Sequence, residues 1–407
     1  MRGRVPYIAV ALILSSFCSA SDKVGYSFIA RDLVFQSYID DSDISPDGSR
    51  FAVALEARTE AATHRSVLEL WDFSGGKLAE RALSITWRGY PQVCLHFSGD
   101  GKQLLFYDGV GSLHVLDDRL NDVRQFDIGL AGDDLQRLNE TALKNHPGRI
   151  EPLPVRAAAV EEMAVAPVGS RVAVRILLRE FSQMIHIFDL SSGQLVRSWG
   201  QVGFHSGAGS HMAWDPSGRL LALGFDSTIV EEGQSGDIAI YDAEKGVVAR
   251  FVQTGFEGVA SLAFAGRDAL VVAPMKFKHH ALPALQIFTL AGAHRQSMTV
   301  PDTGLRGPVA AAAGPRMVTG VAVQVVQDPD DPRVWRAADS RIVLWKVGSA
   351  APRAISSDLW PVKMPDMALS ADGRRLLVVR HYDSRRAVLL ELHENVEPLR
   401  DRRDDAR

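Results

Sequence analysis

Histidine pairs and a carboxylate triplet are where chemistry would start in this chain. His279-His280 is the most suggestive pair, but adjacent residues on a strand project to opposite faces and do not converge on one ion. With Lys276 and Lys278 beside it, the pair reads as a solvated polar loop. His205 and His211 flank the run Ser206-Gly207-Ala208-Gly209-Ser210, which lacks the strand-to-helix setting of a phosphate loop and reads as a flexible connection. Asp328, Asp330 and Asp331 have the oxygen-rich composition that hard cations choose. Pro329 and Pro332, and the missing downstream Glu, make that segment an exposed loop instead.

Nucleophile and cofactor motifs are equally sparse. The chain has no Cys-x-x-Cys-His for covalent haem and no Gly-x-Ser-x-Gly elbow. Cys94 lies in an apolar run and reads as a small core residue. No catalytic residue, metal ligand or cofactor is expected from these patterns. A formal net charge of -4 argues against a nucleic-acid surface, which needs a basic stripe.

The elements that must position any site repeat along the chain. An alternating apolar strand runs into a tight Gly turn and out into a second apolar strand. The clearest turns are Ser45-Pro46-Asp47-Gly48, Ser98-Gly99-Asp100-Gly101, Ala166-Pro167-Val168-Gly169, Asp215-Pro216-Ser217-Gly218 and Ser370-Ala371-Asp372-Gly373, with degenerate versions at Gly266 and Gly314. Successive turn glycines are 48 to 68 positions apart, a spacing that suits propeller blades. The expectation is an all-β, seven-bladed β-propeller of four-stranded antiparallel blades. In the fourth unit the strands read His211 to Trp214, Leu220 to Gly224, Ile238 to Tyr241 and Val247 to Phe251.

Within each unit the first strand, strand a, places Ala164, Ala213, Ala263, Ala311 and Ala368 at one level, between larger residues such as Met212 and Trp214. Blades converging on an axis require such alternation of small and large. It implies that both faces of strand a are buried. The first two units put Asp43 and His96 at that level, where buried polar groups need partners. Either they satisfy one another or they are polar groups of the channel.

The Ser45-Pro46-Asp47-Gly48 turn and the Trp71-Asp72 pair closing a third strand resemble the WD40 repeat family over roughly residues 38 to 395. The family's Gly-His pairs are absent, and other units carry Phe-Asp, Tyr-Asp or Trp-Lys in place of Trp-Asp. Exported TolB-like and lactonase-like propellers share the same physics. The WD40 resemblance implies the blade itself, while these departures bear on the family's structural hydrogen-bond tetrad.

The last unit supplies three strands, Asp366 to Leu369, Leu376 to Arg380 and Val388 to Leu392. Its fourth comes either from Tyr26 to Phe35 or from Val396 to Leu399; closure leaves no open sheet edge. Arg2, Arg4, the apolar run Val5 to Leu14 and the small residues before Ser21 have the parts of a cleavable signal over residues 1–20. About ten apolar residues are too few for the roughly 20 of a membrane span. The reading is therefore a periplasmic or secreted protein with one remaining cysteine. Residues 129–158 form an insertion between the second and third units, and residues 400–407 a charged tail.

Surface loops remain as the candidate for function. The connections from the last strand of one unit to the first of the next carry Trp87, Arg88, Tyr90, Phe204, His205, Phe256, Glu257, Arg306, Trp360 and Lys363. Aromatic and Arg residues are enriched at interface centres. The preferred expectation is a non-catalytic scaffold that binds a protein partner. The rival is a propeller enzyme, a lactonase-like metal hydrolase or a quinoprotein-type dehydrogenase, which needs polar groups converging on the axis. Asp43 and His96 are the residues that would serve it.

Overall fold

The computed structural model describes residues 26–58, 64–85, 93–108, 111–128, 159–179, 182–202, 212–224, 238–255, 258–275, 285–298, 306–313, 317–327, 335–346, 354–355, 365–380 and 385–394. The signal-like segment, the 129–158 insertion, the His279-His280 pair, the His205 to His211 run, Asp328 to Asp331 and the tail lie outside these residues.

All described elements are strands. Blade 1 is β2 (Tyr38–Ile44), β3 (Arg50–Arg58), β4 (His64–Asp72) and β5 (Lys77–Ile85). Blade 2 is β6 (Cys94–Phe97), β7 (Leu104–Tyr107), β8 (Ser112–Leu116) and β9 (Asp122–Asp127). Blade 3 is β10 (Ala159–Val165), β11 (Arg171–Arg179), β12 (Ser182–Asp189) and β13 (Leu195–Val202). Blade 4 is β14 (Met212–Trp214), β15 (Leu220–Gly224), β16 (Ile238–Asp242) and β17 (Val247–Val252). Blade 5 is β18 (Gly258–Phe264), β19 (Ala269–Met275), β20 (Gln286–Thr289) and β21 (His294–Ser297). Blade 6 is β22 (Arg306–Ala313), β23 (Met317–Gln327), β24 (Trp335–Lys346) and β25 (Ala354–Ile355). The last blade is β26 (Pro365–Leu369), β27 (Arg375–Arg380), β28 (Arg386–Glu394) and, from the start of the chain, β1 (Tyr26–Val34).

These make seven four-stranded antiparallel sheets. Their innermost strands touch in a closed cycle, β2 to β6, β10, β14, β18, β22, β26 and back to β2. Of the two candidates for closing the ring, the N-terminal strand does so: β1 pairs with β28 from Tyr26 opposite Glu394 to Val34 opposite Arg386.

The repeated turns explain why the strands stop where they do. In blade 1 the Ser45 hydroxyl donates to Asp47 Oδ1 and accepts the Arg50 amide at 3.0 Å, while Asp47 also accepts the Ser49 amide. Ser98 with Asp100 and Ser370 with Asp372 repeat this bonding. The third-strand Asp does similar work at the next turn. Asp72 accepts from Ser74 and the Gly76 amide, and those bonds hold its carboxyl below the usual range. The Trp-Asp dipeptide is thus read locally, as a turn cap.

Gly218 shows how closely these turns approach one another. It sits at φ +68°, and a Cβ there would stand 2.7 Å from the Val168 carbonyl of blade 3. Gly218→Ala is therefore expected to cost about 2 kcal/mol, from the left-handed backbone and the clash together. A chemical-denaturation midpoint equal to that of the unsubstituted protein would refute this.

The core lies between blades. Leu95, Phe97, Leu104 and Phe106 of blade 2 pack on Ala52, Ala54, Leu68 and Leu70 of blade 1. Cys94 is buried among Leu105, Val160 and Met163, so its reading as a core residue holds. The alternation on strand a is also observed, since Met212 and Trp214 are buried. Its implication is corrected in part: Ala164 is buried, whereas Asp43, His96, Ala213, Ala263 and Ala368 are half-buried. At those blades the level is thus partly open to solvent.

Outer strands share one irregularity. Register shifts leave Leu78, Val123, Val196, Ala249 and Arg295 without a partner on the neighbouring strand. Such bulges twist an outer edge away from further pairing. They also account for why Leu78, Val123 and Val196 are exposed apolar residues.

Arginines staple the rim. Each projects from the outermost strand of one blade onto a turn carbonyl of the next: Arg31 onto Phe73 at 3.4 Å, Arg81 onto Leu120 at 2.9 Å, Arg124 onto Leu190 at 2.7 Å and Arg197 onto Glu244 at 2.7 Å. Nearer the axis, Arg375 reaches Gly48 O and Arg50 reaches Gly101 O.

Candidate functional site

Asp43 and His96, separated by a whole blade repeat in sequence, are brought together at the inner rim. His96 Nδ1 stands 3.5 Å from Asp43 Oδ2, with the His side chain 33% exposed. Of the two alternatives for these residues, mutual satisfaction is what the geometry shows. The same Asp43 oxygen accepts the Phe97 amide at 2.8 Å, and Asp41 Oδ2 accepts the Leu95 amide at 2.6 Å. Two carboxylates of β2 therefore hold two amides of β6, replacing strand pairing that the splayed blades cannot provide.

Blade 3 repeats the device with Glu162. Its Oε1 accepts the Met212 amide of blade 4 at 2.6 Å, and its Oε2 lies 3.2 Å from the buried Arg175 guanidinium. Trp214 Nε1 donates to Ala164 O at 2.8 Å across the same seam. Asp41 and Glu162 went unnoticed in the sequence, although both stand two positions before the level of Asp43 and Ala164. Acidic residues recurring at that offset were the available signal.

The electrostatics follow from this geometry. Burial opposes protonation of His96, but the bond to Asp43 and the charges of Asp43, Asp41 and Glu162 outweigh it, and its pKa is pushed up to about 9. At neutral pH the imidazole is thus a cation, with no lone pair to offer as base or ligand. Among the described residues no group of three His, Cys, Asp or Glu is placed to hold a metal ion.

A second histidine lies at the outer side of blade 2. His114 Nδ1 is 2.8 Å from Asp122 Oδ1, and Nε2 faces Asp108 Oδ2 at 3.8 Å. Asp122 Oδ2 meets Arg81 of blade 1 at 2.5 Å. Asp108, opposed by burial and joined by Asp122, holds the His114 pKa above its ordinary value. Glu80, Arg81, Arg119, Leu120, Asn121 and Asp122 line an open polar cleft of about 320 Å³ there. Equivalent third-to-fourth strand pairs, Glu69 with Lys77 and Gln286 with His294, are stapling contacts of the hairpin.

The loop residues cannot be assembled in the same way. Trp87, Arg88, Tyr90, Phe204, His205, Phe256, Glu257, Trp360 and Lys363 lie outside the described residues, between an outer strand and the next inner one. Arg306 begins β22, where its backbone pairs with Val323.

No family model matches the chain, and no curated protein matches it. Among solved structures, a chain of one titled "Crystal Structure of Mitotic Checkpoint Complex" is similar at a TM-score of 0.55 and 16% identity, covering 96% of this chain and 99% of that one. At this identity the likeness is one of fold: the chain is an all-β propeller of four-stranded antiparallel blades, similar to that solved protein along nearly the whole length of both.

Proposed function

We propose that this chain is an exported, non-catalytic propeller that binds a protein partner through the loops at one end of its ring. The observation that carries the reading is mechanical. A closed cycle of inner strands, stapled at both rims, can hold several loops in fixed relation. Preorganised loops lose little entropy on association, which favours recognition of a large partner. The similar fold in a structure titled as a complex fits this use. Residues 1–20, with paired arginines and a short apolar run, support export to the periplasm or beyond the cell.

The recognition residues are Trp87, Arg88, Tyr90, Phe204, His205, Phe256, Glu257, Arg306, Trp360 and Lys363. The test is a crosslinking pull-down from native envelope extract, run with the mature protein and with a Trp87→Ala, Phe204→Ala, Trp360→Ala variant. A partner captured by the first and lost by the still-folded variant is expected. Equal capture by both would remove these loops as the binding face. Capture by neither would turn attention to a small ligand or an enzymatic function in the channel.

A further inference from the structure

The outermost strands of blades 3 and 4 frame an apolar groove on the flank of the ring. On β17, Val248 and Phe251 stand opposite Tyr241 and Ala239, which belong to the core between blades 3 and 4, so their side chains lie on the blade 3 side. They are 37% and 58% exposed. On β13, Arg197 and Trp199 stand opposite Ile187 and Ile185 of the same core and face back toward blade 4. The mouth of this seam thus has Trp199 on one wall and Val248 and Phe251 on the other. Trp199 is half-buried and packs on Tyr241 with ring centroids 5.1 Å apart, which holds it as a fixed anchor.

The charge around this groove is one-sided. β13 and β17 carry no acid, whereas β1, β5 and β9 carry Asp32, Glu80, and Asp122 with Asp127. Arg197 uses its Nε–H on Glu244 O, and among the described residues its terminal nitrogens have no partner. Arg250 holds the corresponding place on blade 4, opposite Ile240 as Arg197 is opposite Ile187, yet among the described residues it reaches no carbonyl of blade 5. The turn glycines show the difference. A Cβ at Gly246 would meet the Arg197 side chain, whereas one at Gly292 would meet the backbone of Phe251 and Val252. Glu244, the acid on the nearby turn, stands 3.8 Å from Arg171. Arg250 is therefore an exposed cation beside Phe251 that staples nothing.

We propose that the outer groove between blades 3 and 4 docks an acidic, apolar segment of a partner protein, with a large apolar side chain seated between Trp199 and Phe251 and carboxylates set against Arg197 and Arg250. This surface is separate from the loops at the end of the ring. Exposed apolar side chains gathered in one groove, rather than scattered singly, mark an interaction surface. Guanidinium groups without internal partners select carboxylates. A second copy of the chain is the poorer occupant, because a two-fold contact places the same patch on both sides and sets arginine against arginine.

Selection from a random peptide display library on the intact protein tests this, with a Phe251→Ser, Arg250→Glu variant as the counter-target. Both side chains are exposed, so the variant should unfold at the same temperature as the unsubstituted protein. Peptides that prefer the unsubstituted protein are expected to carry Asp or Glu next to Leu, Ile, Phe or Trp, and to bind less tightly as salt is raised. Their affinity for the variant should be about tenfold lower or worse, the loss of an interface anchor. The Trp87→Ala, Phe204→Ala, Trp360→Ala variant should bind them unchanged, which separates this groove from the loops.

Selected peptides without acidic residues, or with equal affinity for the counter-target, would overturn the proposal. So would a library that yields no peptide preferring the unsubstituted protein. A dimer in sedimentation equilibrium that the variant abolishes would assign the groove to a second copy. Retention on phosphatidylglycerol vesicles that the variant loses would assign it to an anionic membrane, and either result overturns the peptide reading. If the double variant unfolds early, Arg250→Gln alone serves as the counter-target, with the same preference for acidic peptides expected and its absence decisive.

Discussion

Replacing Trp214 by Ala is expected to destabilise the protein by about 3–5 kcal/mol, the range for emptying a buried aromatic site. The indole is nearly inaccessible and sits with Leu221, Tyr241, Ala164 and Ala166 in the core between blades 3 and 4. Small residues on blade 3, Ala164, Ala166 and Ala173, make the space for it. The indole N–H also donates to Ala164 O, and that carbonyl would lose its donor. Trp214→Phe keeps most of the volume and should cost less, with about 1 kcal/mol for the hydrogen bond. A thermal unfolding curve of the Ala variant overlying that of the unsubstituted protein would mean that blade 4 is wrongly placed.

Deleting Tyr26 to Val34 is expected to be at least as damaging. Those residues form the outer strand of the closing blade, paired along the whole of β28. Without them Val388, Leu390 and Leu392, all buried now, lose cover on one side. At about 1.5–3 kcal/mol for each aliphatic side chain exposed in full, even partial exposure amounts to roughly 4 kcal/mol. The rim staple from Arg31 to Phe73 O would vanish as well, and β28 would become an open edge. Unfolding that is unchanged by the deletion would return closure to the C-terminal segment.

Much of the fold was legible because propeller information is local. Ser-Pro-Asp-Gly turns, the strand-closing Asp and the alternation of Met212, Ala213 and Trp214 all act within a few residues of themselves. The strands proposed for the fourth unit match the observed ones from Leu220 to Gly224 and begin where β16 and β17 begin. Both ends of the fold's closure were also visible, although pattern alone left the N-terminal and C-terminal strands equivalent. Only pairing geometry separates them.

The candidate site was legible in part. Asp43 and His96 stood out as polar residues at an apolar level, and they do meet. Of the two alternatives left open for them, the contact supports mutual satisfaction, and the sequence could not choose it because two residues a whole blade repeat apart carry no mark of their meeting. Asp41, Glu162, Asp108 and Asp122 were not singled out.

Linear order thus decided the blade, the turn chemistry and the small-to-large gradation of the inner strands, since these depend on neighbours a few positions apart. Tertiary structure alone decided how the blades hold one another. Carboxylates of one blade accept amides about fifty positions away, at Asp43 to Phe97 and Glu162 to Met212, and among the described residues arginines cross four of the seams to a carbonyl. Such bonds join side chains to backbone, whose donors and acceptors every residue carries. No residue type marks them, and only the approach of two blades creates them.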